Sequence, residues 1–311
     1  MASSNLPSKR NKKKNPTVTR LSFECSGGST EFIDIGLALS IINRKFFRAG
    51  LYYYVNSVEV YNNETGVVDF HTAPDNWITR NAHTRGSRIF DKMNELVDPP
   101  LSHGVKPRYH DFKVFLTDLH RTSGSLRPSL HGINGAATQY SADDWEYSKF
   151  VSADDDQDPV ANADEFYAHL LGAHSGSASN WTSIGLIESY EDSRAQVPDT
   201  SPTVPVDLDS DPLVNIFDFS SEEQFNDIMS NLRDDNDAPP YNADNYVGSA
   251  GHMQHVARIG TEIGVGRVGR ASGFCAPFGL ICVDPHGVST AFRVVINLAV
   301  GDYKGVYAER A

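Results

Sequence analysis

Apolar and polar side chains alternate along much of this chain, and such alternation predicts β-strands with one face in a core. The pattern is strongest in residues 291–300. The face expected to be buried consists of Phe292, Val294, Ile296, Leu298 and Val300. The opposite face, from Arg293 to Ala299, mixes polar with smaller apolar side chains. Residues 291–300 are therefore predicted to form a core strand.

Shorter runs with the same period predict further strands. They cover residues 17–25, 31–40, 51–61, 67–71, 110–120, 213–219, 253–259 and 278–283. In residues 51–61 apolar and aromatic side chains occupy both faces, so both faces are expected to be covered. The pattern as a whole predicts roughly eight to ten strands.

Two segments change to a helical period. In residues 74–98 the apolar side chains fall near one helical face, and Asp75 is the expected N-cap. Gly86 is expected to weaken this helix and could divide it. The second helix, in residues 220–232, follows a serine and a glutamate at capping-box spacing. The longer helix is expected to pack across an edge or end of a sheet.

Residues 121–211 are rich in Ser, Gly, Ala and Asp, and only short apolar pieces interrupt them. We interpret them as long loops and insertions without a second buried core. Strands are not regularly interleaved with helices, which argues against a parallel α/β sheet. The predicted fold is all-β, a two-sheet antiparallel sandwich with long loops and two short helices. A jelly roll, the form associated with capsid and lectin domains, fits this description.

Charge separates the first 20 residues from the remainder of the chain. They contain no acidic residue, and their cations are Lys9, Arg10, Lys12, Lys13, Lys14 and Arg20. The whole chain has 27 basic and 40 acidic residues; without these six cations it has 21 against 40, a net charge of −19. Residues 1–16 carry too little apolar surface to fold alone and are predicted to be a disordered arm. Such an arm is suited to binding nucleic-acid phosphates.

Other interpretations of the basic arm stay open. The same Lys/Arg cluster satisfies the pattern of a nuclear-localisation signal, which is compatible with nucleic-acid binding. A merely solvated tail is the third possibility. The longest apolar runs are too short to span a bilayer, and no apolar run follows the charged N-terminus as in a secretory signal. The three cysteines are expected to be reduced thiols in or near the core of an intracellular protein.

Residues 264–269 match G-x-G-x-x-G literally, with an aspartate at position 284. A dinucleotide site needs a helix to begin at the third glycine, so that the helix N-terminus can hold the pyrophosphate. The following residues include Gly273, Pro277 and Gly279, which oppose a helix there. A glycine-rich loop between strands is predicted instead.

Metal and catalytic sites receive little support from the sequence. His252 and His255 are three residues apart, but a third ligand and a supporting shell are not evident. The acidic clusters near residues 154–158, 207–211 and 234–237 are interpreted as solvated loops, with a calcium or magnesium site at a subunit interface as the alternative. No nucleophile motif occurs. We therefore predict no cofactor, no metal and no enzymatic activity.

Three stretches together resemble capsid proteins of small circular Rep-encoding single-stranded DNA viruses, the circovirus-like capsids. They are Asn-Trp-Ile-Thr-Arg-Asn-Ala at 76–82, Lys-Pro-Arg-Tyr-His-Asp-Phe-Lys-Val at 106–114, and the tail from 276–281 through 298–306. The resemblance extends over most of the chain after the arm but is thin between residues 121 and 211. The resemblance lies in the order of these stretches along the chain and in their residue types, and it includes no catalytic signature.

The resemblance implies a single viral jelly-roll domain at residues 17–311, with a loop-rich insertion around 121–211. Copies of this subunit would assemble into an icosahedral shell around circular single-stranded DNA, with the arm inside. The expected partners are other copies of the chain, the DNA genome and a host receptor that the sequence does not identify, with no membrane. The expected locations are the virion and the host nucleus. The alternatives are a non-viral nucleic-acid-binding protein with a basic tail, and a jelly-roll lectin or hydrolase.

Overall fold

A computed structural model describes residues 16–97, 111–131, 137–141, 144–152, 164–177, 180–193, 253–262 and 267–310. The predicted strand at 213–219 and the predicted helix at 220–232 lie outside these ranges. So do most of the basic arm and the three acidic clusters.

The described elements follow one another in this order. The strands are β1 (Arg20–Cys25), β2 (Glu31–Asp34), β3 (Leu51–Tyr61), β4 (Gly66–Thr72), β5 (Ser129–His131), β6 (Ala137–Gln139), β7 (Lys149–Ser152), β8 (Asp164–His169), β9 (Ser175–Ser177), β10 (Asn180–Gly185), β11 (Gln254–Thr261), β12 (Val268–Ala276), β13 (Leu280–His286), β14 (Phe292–Leu298) and β15 (Ala308–Arg310). The helices are α1 (Ile35–Asn43), α2 (Trp77–Val97), α3 (Asp118–Ser123) and α4 (Leu186–Asp192).

Two antiparallel sheets form the body. Sheet A has the strand order β1-β14-β3-β12, and β15 pairs with the start of β3. Sheet B has the order β11-β4-β13-β2. Every pairing within these two sheets is antiparallel. The predicted all-β, two-sheet antiparallel arrangement is confirmed.

The chain crosses between the two sheets at almost every step. Strands β1, β2, β3 and β4 alternate between sheet A and sheet B, and so do β11, β12, β13 and β14. Two steps are exceptions. Strands β4 and β11 are hydrogen-bonded neighbours in sheet B, and β14 and β15 both belong to sheet A. The described elements from α2 to α4 all lie within the step from β4 to β11.

The part of the chain between α2 and β11, which we call the insertion, contains regular structure of its own. Its four-stranded sheet, sheet C, has the order β7-β8-β10-β9, with β8 and β10 parallel, and β5 and β6 form a separate two-stranded sheet. Helices α2 and α4 contact one another. The part of the chain that the structure describes contains four helices, so the prediction of two short helices is wrong in number, and α2 has 21 residues.

The main hydrophobic core lies where the inward faces of sheets A and B meet. It includes the side chains that alternation predicted for the last long strand, apart from Val300. Members from several strands are Leu21, Phe23, Ile33, Tyr53, Val58, Val60, Val68, Phe70, Ala257, Ile259, Ile281, Val283, Phe292, Val294, Ile296 and Leu298. These residues occur at alternate positions, because successive side chains of a strand point to opposite faces.

A second hydrophobic core covers the outward face of sheet B. Phe32 and Leu280 contribute from the sheet, Ala82 and Phe90 from α2, and Leu170 from the insertion. The expectation that residues 121–211 hold no second buried core is therefore wrong. Each apolar piece of the insertion is short because it contributes only a few side chains to a core that the sheet and α2 share.

The predicted strand at 31–40 divides at Asp34. Strand β2 ends there, and the Asp34 carboxylate accepts a hydrogen bond from the Leu37 N–H at 3.1 Å, which caps α1. Side chains of α1 are buried on several sides. A helix that is apolar on most sides lacks the periodicity that distinguishes it from a buried strand. The sequence prediction failed here for that reason.

The predicted strand at 110–120 is also largely wrong. Its described part is irregular up to Thr117, whose hydroxyl caps α3 by accepting from the His120 N–H at 3.2 Å. Only Phe115 forms a bridge, in parallel with His169 of sheet C. Apolar side chains recur in this segment because most of them are buried. The backbone nevertheless forms no regular ladder of strand hydrogen bonds.

Helix α2 is confirmed, with one correction at its N-terminus and one at Gly86. Asn76 caps it by accepting from the Thr79 N–H at 2.8 Å, whereas Asp75 pairs with Arg80 at 2.7 Å. Gly86 does not divide it. A Cβ atom there would lie 3.1 Å from side-chain atoms of both Leu186 and Phe112. The glycine allows the insertion to approach the helix closely.

Strand β12 was not predicted as a strand. Gly269, the third glycine of the G-x-G-x-x-G match, lies inside it and starts no helix. A Cβ atom at Gly269 would lie 2.2 Å from the Ile259 side chain, so a close approach between the sheets excludes a larger residue. The prediction that no helix begins at this glycine is confirmed, and residues 263–266 lie outside the described ranges.

The last long strand is shorter than predicted. Strand β14 ends at Leu298, and a register shift against β3 occurs there. Val300 is consequently outside the strand and 79% exposed. Val295, placed on the opposite face by alternation, is nevertheless buried.

The three cysteines lie where the sequence predicted them. All three cysteines are free; Cys25 and Cys282 are buried and Cys275 is partly buried, which confirms the predicted core or near-core positions. Burial raises the pKa of the Cys282 thiol to about 12. Among the described residues no helix is both long and apolar enough to cross a membrane.

The buried position of Ile296 generates a stability prediction. Ile296→Ala should lower the free energy of unfolding by about 2–5 kcal/mol, because the substitution removes buried methylene groups and leaves a cavity. Urea unfolding measures the change. Val300→Ala is the control, since this exposed residue should change stability by less than about 0.5 kcal/mol. Equal effects of the two substitutions would contradict the register of β14.

Candidate nucleic-acid interface

The predicted nucleic-acid-binding residues fall into two groups. Lys9, Arg10, Lys12, Lys13 and Lys14 lie outside the described residues. Arg20 is described. It opens β1, the edge strand of sheet A, and its guanidinium lies 3.1 Å from the Glu59 carboxylate. Arg20 therefore belongs to the folded body, where its charge has a partner.

The chain enters the body at a fixed point just after the arm. The Thr17 hydroxyl donates to the Lys304 carbonyl at 2.6 Å. The Val18 N–H donates to the Asn43 side-chain carbonyl at 2.7 Å, and the Asn43 amide donates back to the Val18 carbonyl at 3.1 Å. Because Asn43 ends α1, the arm leaves the body beside the C-terminus of this helix and the turn around Lys304.

Four cations cluster at this exit point. We call them the basic corner, and they are Arg44, Lys45, Arg48 and Lys304. Arg44 follows α1 directly with a left-handed backbone, at φ 51°. The Arg48 N–H donates to the Tyr303 hydroxyl at 3.0 Å, and the Lys304 ammonium donates to the Phe46 carbonyl. These bonds hold the loop at residues 44–48 against the turn at residues 303–304.

Aromatic rings pack against the Lys304 side chain of the basic corner. The Lys304 ammonium lies 5.4 Å from the Tyr303 ring centre and 5.6 Å from that of Phe47. Partial burial, together with Arg48 and Lys45, lowers the pKa of Lys304 from its usual value. Like charges are thus held close enough to oppose one another, and a nearby anion would relieve that repulsion.

The sequence analysis missed the basic corner. Its signal is the run Arg-Lys-Phe-Phe-Arg at residues 44–48, which has three cations and two aromatic residues within five positions. The run was not singled out because the arm has a denser cluster of lysines. Lys304 lies more than 250 positions away, and only the fold brings it to the run, as its bond to Phe46 shows.

The outward face of sheet A differs from the basic corner because its charges are paired. Arg293 lies 2.9 Å from Glu24, and Arg20 lies 3.1 Å from Glu59. The Asn297 amide donates to Glu59 at 3.3 Å. The contacts of Arg293 and Asn297 join neighbouring strands, and the Arg20–Glu59 pair spans β14 between β1 and β3. Because these charges are paired, the face offers an anion less attraction than the basic corner does.

A buried chain of hydrogen bonds joins β2 to the insertion. The His120 Nε2 lies 2.7 Å from the Ser125 hydroxyl, which lies 2.5 Å from the Tyr147 hydroxyl. Tyr147 donates to the Asp34 carboxylate at 3.2 Å. The Leu116 N–H donates to His120 Nδ1 at 3.0 Å, so the ring hydrogen of His120 is on Nε2 and points at Ser125.

This tautomer opposes nucleophilic catalysis by Ser125. A general base must accept the serine proton, but the nitrogen of His120 that faces Ser125 is the donor. Burial lowers the pKa of His120 to about 3, which keeps its ring neutral near neutral pH. The donors therefore run in one direction, from His120 to the Asp34 carboxylate, and the chain fastens the insertion to the end of β2.

A second serine–histidine pair lies inside the insertion. The Ser183 hydroxyl lies 2.7 Å from His169 Nδ1, and His169 Nε2 lies 3.1 Å from the Ala173 carbonyl. Both side chains are fully buried. A substrate cannot reach Ser183 in this arrangement, so the pair is structural.

Asp69 is the centre of an ionic cluster on the outward face of sheet B. Its side chain is only 3% exposed and accepts two hydrogen bonds of 2.7 Å from Arg258. His255 lies 3.2 Å and His286 lies 3.4 Å from its oxygens. The hydrogen bonds from Arg258 lower the pKa of Asp69 to about 2. Strands β4, β11 and β13 are tied together by this one carboxylate.

The cluster around Asp69 is not a metal site in the described structure. Arg258 occupies both carboxylate oxygens, and no group of three or more His, Cys, Asp or Glu side chains among the described residues is arranged to hold a metal ion. His252, the partner of His255 in the sequence pattern, lies outside the described ranges. The acidic clusters also lie outside them.

Comparison of the chain with protein-family models, with curated proteins and with solved structures found no match. The fold and the site geometry are therefore the basis for what is proposed below, together with the resemblance of the sequence.

The buried Asp34 carboxylate generates a pH prediction. Burial raises its pKa from 3.8 to about 6 in the folded protein. Its contribution to stability is therefore complete below about pH 4 and is lost as the pH rises through about 6. Relative to Asp34→Asn, which does not titrate, the wild type should lose about 3 kcal/mol between about pH 4 and about pH 7. Urea unfolding of both proteins across this range measures the difference.

Asp144→Asn is the control for this experiment, since Asp144 is an exposed carboxylate in the same region. It removes one carboxylate from an exposed position, so its pH profile measures the effect of the change in net charge alone. A pH-independent difference between wild type and Asp34→Asn would contradict the burial of the Asp34 carboxyl group.

Proposed function

We propose that the protein is the coat subunit of a small virus, which assembles with copies of itself into an icosahedral shell and packages circular single-stranded DNA. The observation that carries the proposal is the junction between the arm and the body. A run of cations enters a two-sheet body at a defined corner, and that corner is itself basic.

The strand order supports a jelly roll as the fold of this subunit. Strands β1–β4 and β11–β14 form two antiparallel layers of four, β1-β14-β3-β12 and β11-β4-β13-β2, and within each of these two groups the chain crosses between the sheets at every step. Strand β15 adds a fifth strand to sheet A. Each sheet thus combines strands from the beginning and the end of the chain. Two four-stranded sheets built in this interlocked way are typical of the jelly roll, a fold common in viral capsid and lectin domains.

The charge distribution supports packaging by the arm. Five cations precede Thr17, and the remainder of the chain carries a large excess of carboxylates. Lysine ammonium groups contact phosphates as point charges and read no base sequence. The acidic body would repel nucleic acid elsewhere and so confine binding to the arm and its surroundings. Such binding suits a genome that every subunit contacts at different sequences.

The resemblance to circovirus-like capsids supplies the remaining parts of the proposal. These are the circular form of the DNA, the icosahedral symmetry, and residence in the virion and in the host nucleus during assembly. A receptor on the host cell is a further expected partner. The basic arm would serve as the nuclear-localisation signal as well, since the same cations satisfy both roles.

Deleting residues 2–14 tests the role of the arm. The sequence of the arm has few large apolar side chains, whereas the core of the described structure includes Leu21 in β1. The shortened protein should therefore keep its thermal transition and its ability to form particles, and should lose nuclease-resistant nucleic acid. Calorimetry, electron microscopy and the absorbance ratio of purified particles at about 260 and 280 nm measure the three properties.

A full-length variant in which Lys9, Arg10, Lys12, Lys13 and Lys14 are all replaced by Ala separates charge from length. It should lose nucleic acid as the deletion does. Packaging at the wild-type level in both proteins would remove the arm from the proposal, and failure of the deletion to fold would contradict the independence of the body.

A further inference from the structure

We propose that the basic corner is a second contact site for single-stranded DNA, in which Arg44, Lys45 and Arg48 bind phosphates that continue the path of the arm onto the folded body. This inference rests on the proposed function and extends it, because it assigns part of the DNA contact to ordered residues. If the arm alone bound DNA, these three side chains would make no contact with it.

Chain connectivity keeps the last cations of the arm close to the basic corner. Lys14 precedes Thr17 by three residues, which span at most about 11 Å when extended. Thr17 is hydrogen-bonded to Lys304, a member of the corner. A polyanion that binds Lys14 therefore lies within reach of the corner.

The charges of the basic corner are available to an anion. Among the described residues none of its four cations forms an ion pair, whereas Arg80, Arg121, Arg258 and Arg293 each pair with a carboxylate. Asp111 acts on Arg48 and Lys304 electrostatically, without an ion-pair contact to either. In a chain with 40 acidic residues, four neighbouring cations without an ion pair among the described residues are an unusual local concentration of positive charge.

The corner is also held in place before any ligand arrives. The Tyr53 hydroxyl donates to the Arg48 carbonyl at 2.7 Å, and the Arg48 N–H donates to the Tyr303 hydroxyl at 3.0 Å. The Phe47 N–H donates to the Ser40 hydroxyl at 2.8 Å. The backbone that carries the cations is thus fixed on both sides, so binding requires the ordering of side chains only.

The salt dependence of DNA binding tests the inference on the full-length chain. The probe is a single-stranded oligothymidylate, titrated at protein concentrations below those at which light scattering detects particles. Each phosphate contact with single-stranded DNA contributes about 0.7 to the slope of log K against log salt. The variant Arg44→Asn/Lys45→Gln/Arg48→Gln should therefore lower the magnitude of the slope by about 2. Asparagine is chosen at position 44 because it tolerates the left-handed backbone there.

Two further variants complete the design. Lys12→Ala/Lys13→Ala/Lys14→Ala removes arm charges and should also lower the slope by about 2. Arg88→Gln/Lys92→Gln/Arg267→Gln removes the same charge from exposed positions outside the corner and should leave the slope unchanged. All three variants should melt within a few degrees of the wild type.

The outcomes separate the inference from the proposed function. A lower slope for both the arm variant and the corner variant, with the control unchanged, supports the second site. A lower slope for the arm variant alone overturns the second site and leaves packaging by the arm intact. An unchanged slope for both overturns packaging as well. Loss of particles from the corner variant with an unchanged slope would instead make the corner a contact between subunits, and this too would overturn the inference.

Discussion

The burial of sheet B on both faces is the constraint on which the structure depends. Alternate side chains of its strands enter two different cores: Ile281 and Val283 face sheet A, while Leu280 and Cys282 face α2 and the insertion. A shift of one residue would exchange the two faces. A side chain fitted to the main core would then meet the helix. The pairing of β2, β4 and β13 is therefore fixed from both sides.

The insertion is part of the body for the same reason. Its apolar side chains complete the second core, and the hydrogen-bond chain from His120 to Asp34 fastens it to β2. Asp34 also caps α1, so one buried carboxylate connects the insertion to the helix whose C-terminus holds the base of the arm. The position of the basic corner thus depends on contacts deep inside the molecule.

The sequence predicted those elements whose pattern has one clear period. Strand β14 and helix α2 have such a period, and so they were found. Strand β3 was found through its run of aromatic and β-branched residues, which cover both of its faces. Helix α1 and strand β12 were missed because one is apolar on most sides and the other is rich in glycine. The basic corner could not be predicted, because Lys304 is far from its other cations in the sequence. Only the fold brings the loop at residues 44–48 to Lys304, through the bonds of Arg48 to Tyr303 and of Lys304 to Phe46.

Electron microscopy of the purified full-length protein tests most directly the proposal that this chain builds a closed shell. Negatively stained samples should contain uniform, isometric particles that enclose nuclease-resistant single-stranded DNA. The proteins with the alternative functions, a lectin, a hydrolase or a non-viral nucleic-acid-binding protein, would not form such particles. A monodisperse monomer that forms no particle at any ionic strength or pH, with or without added single-stranded DNA, would contradict the claim.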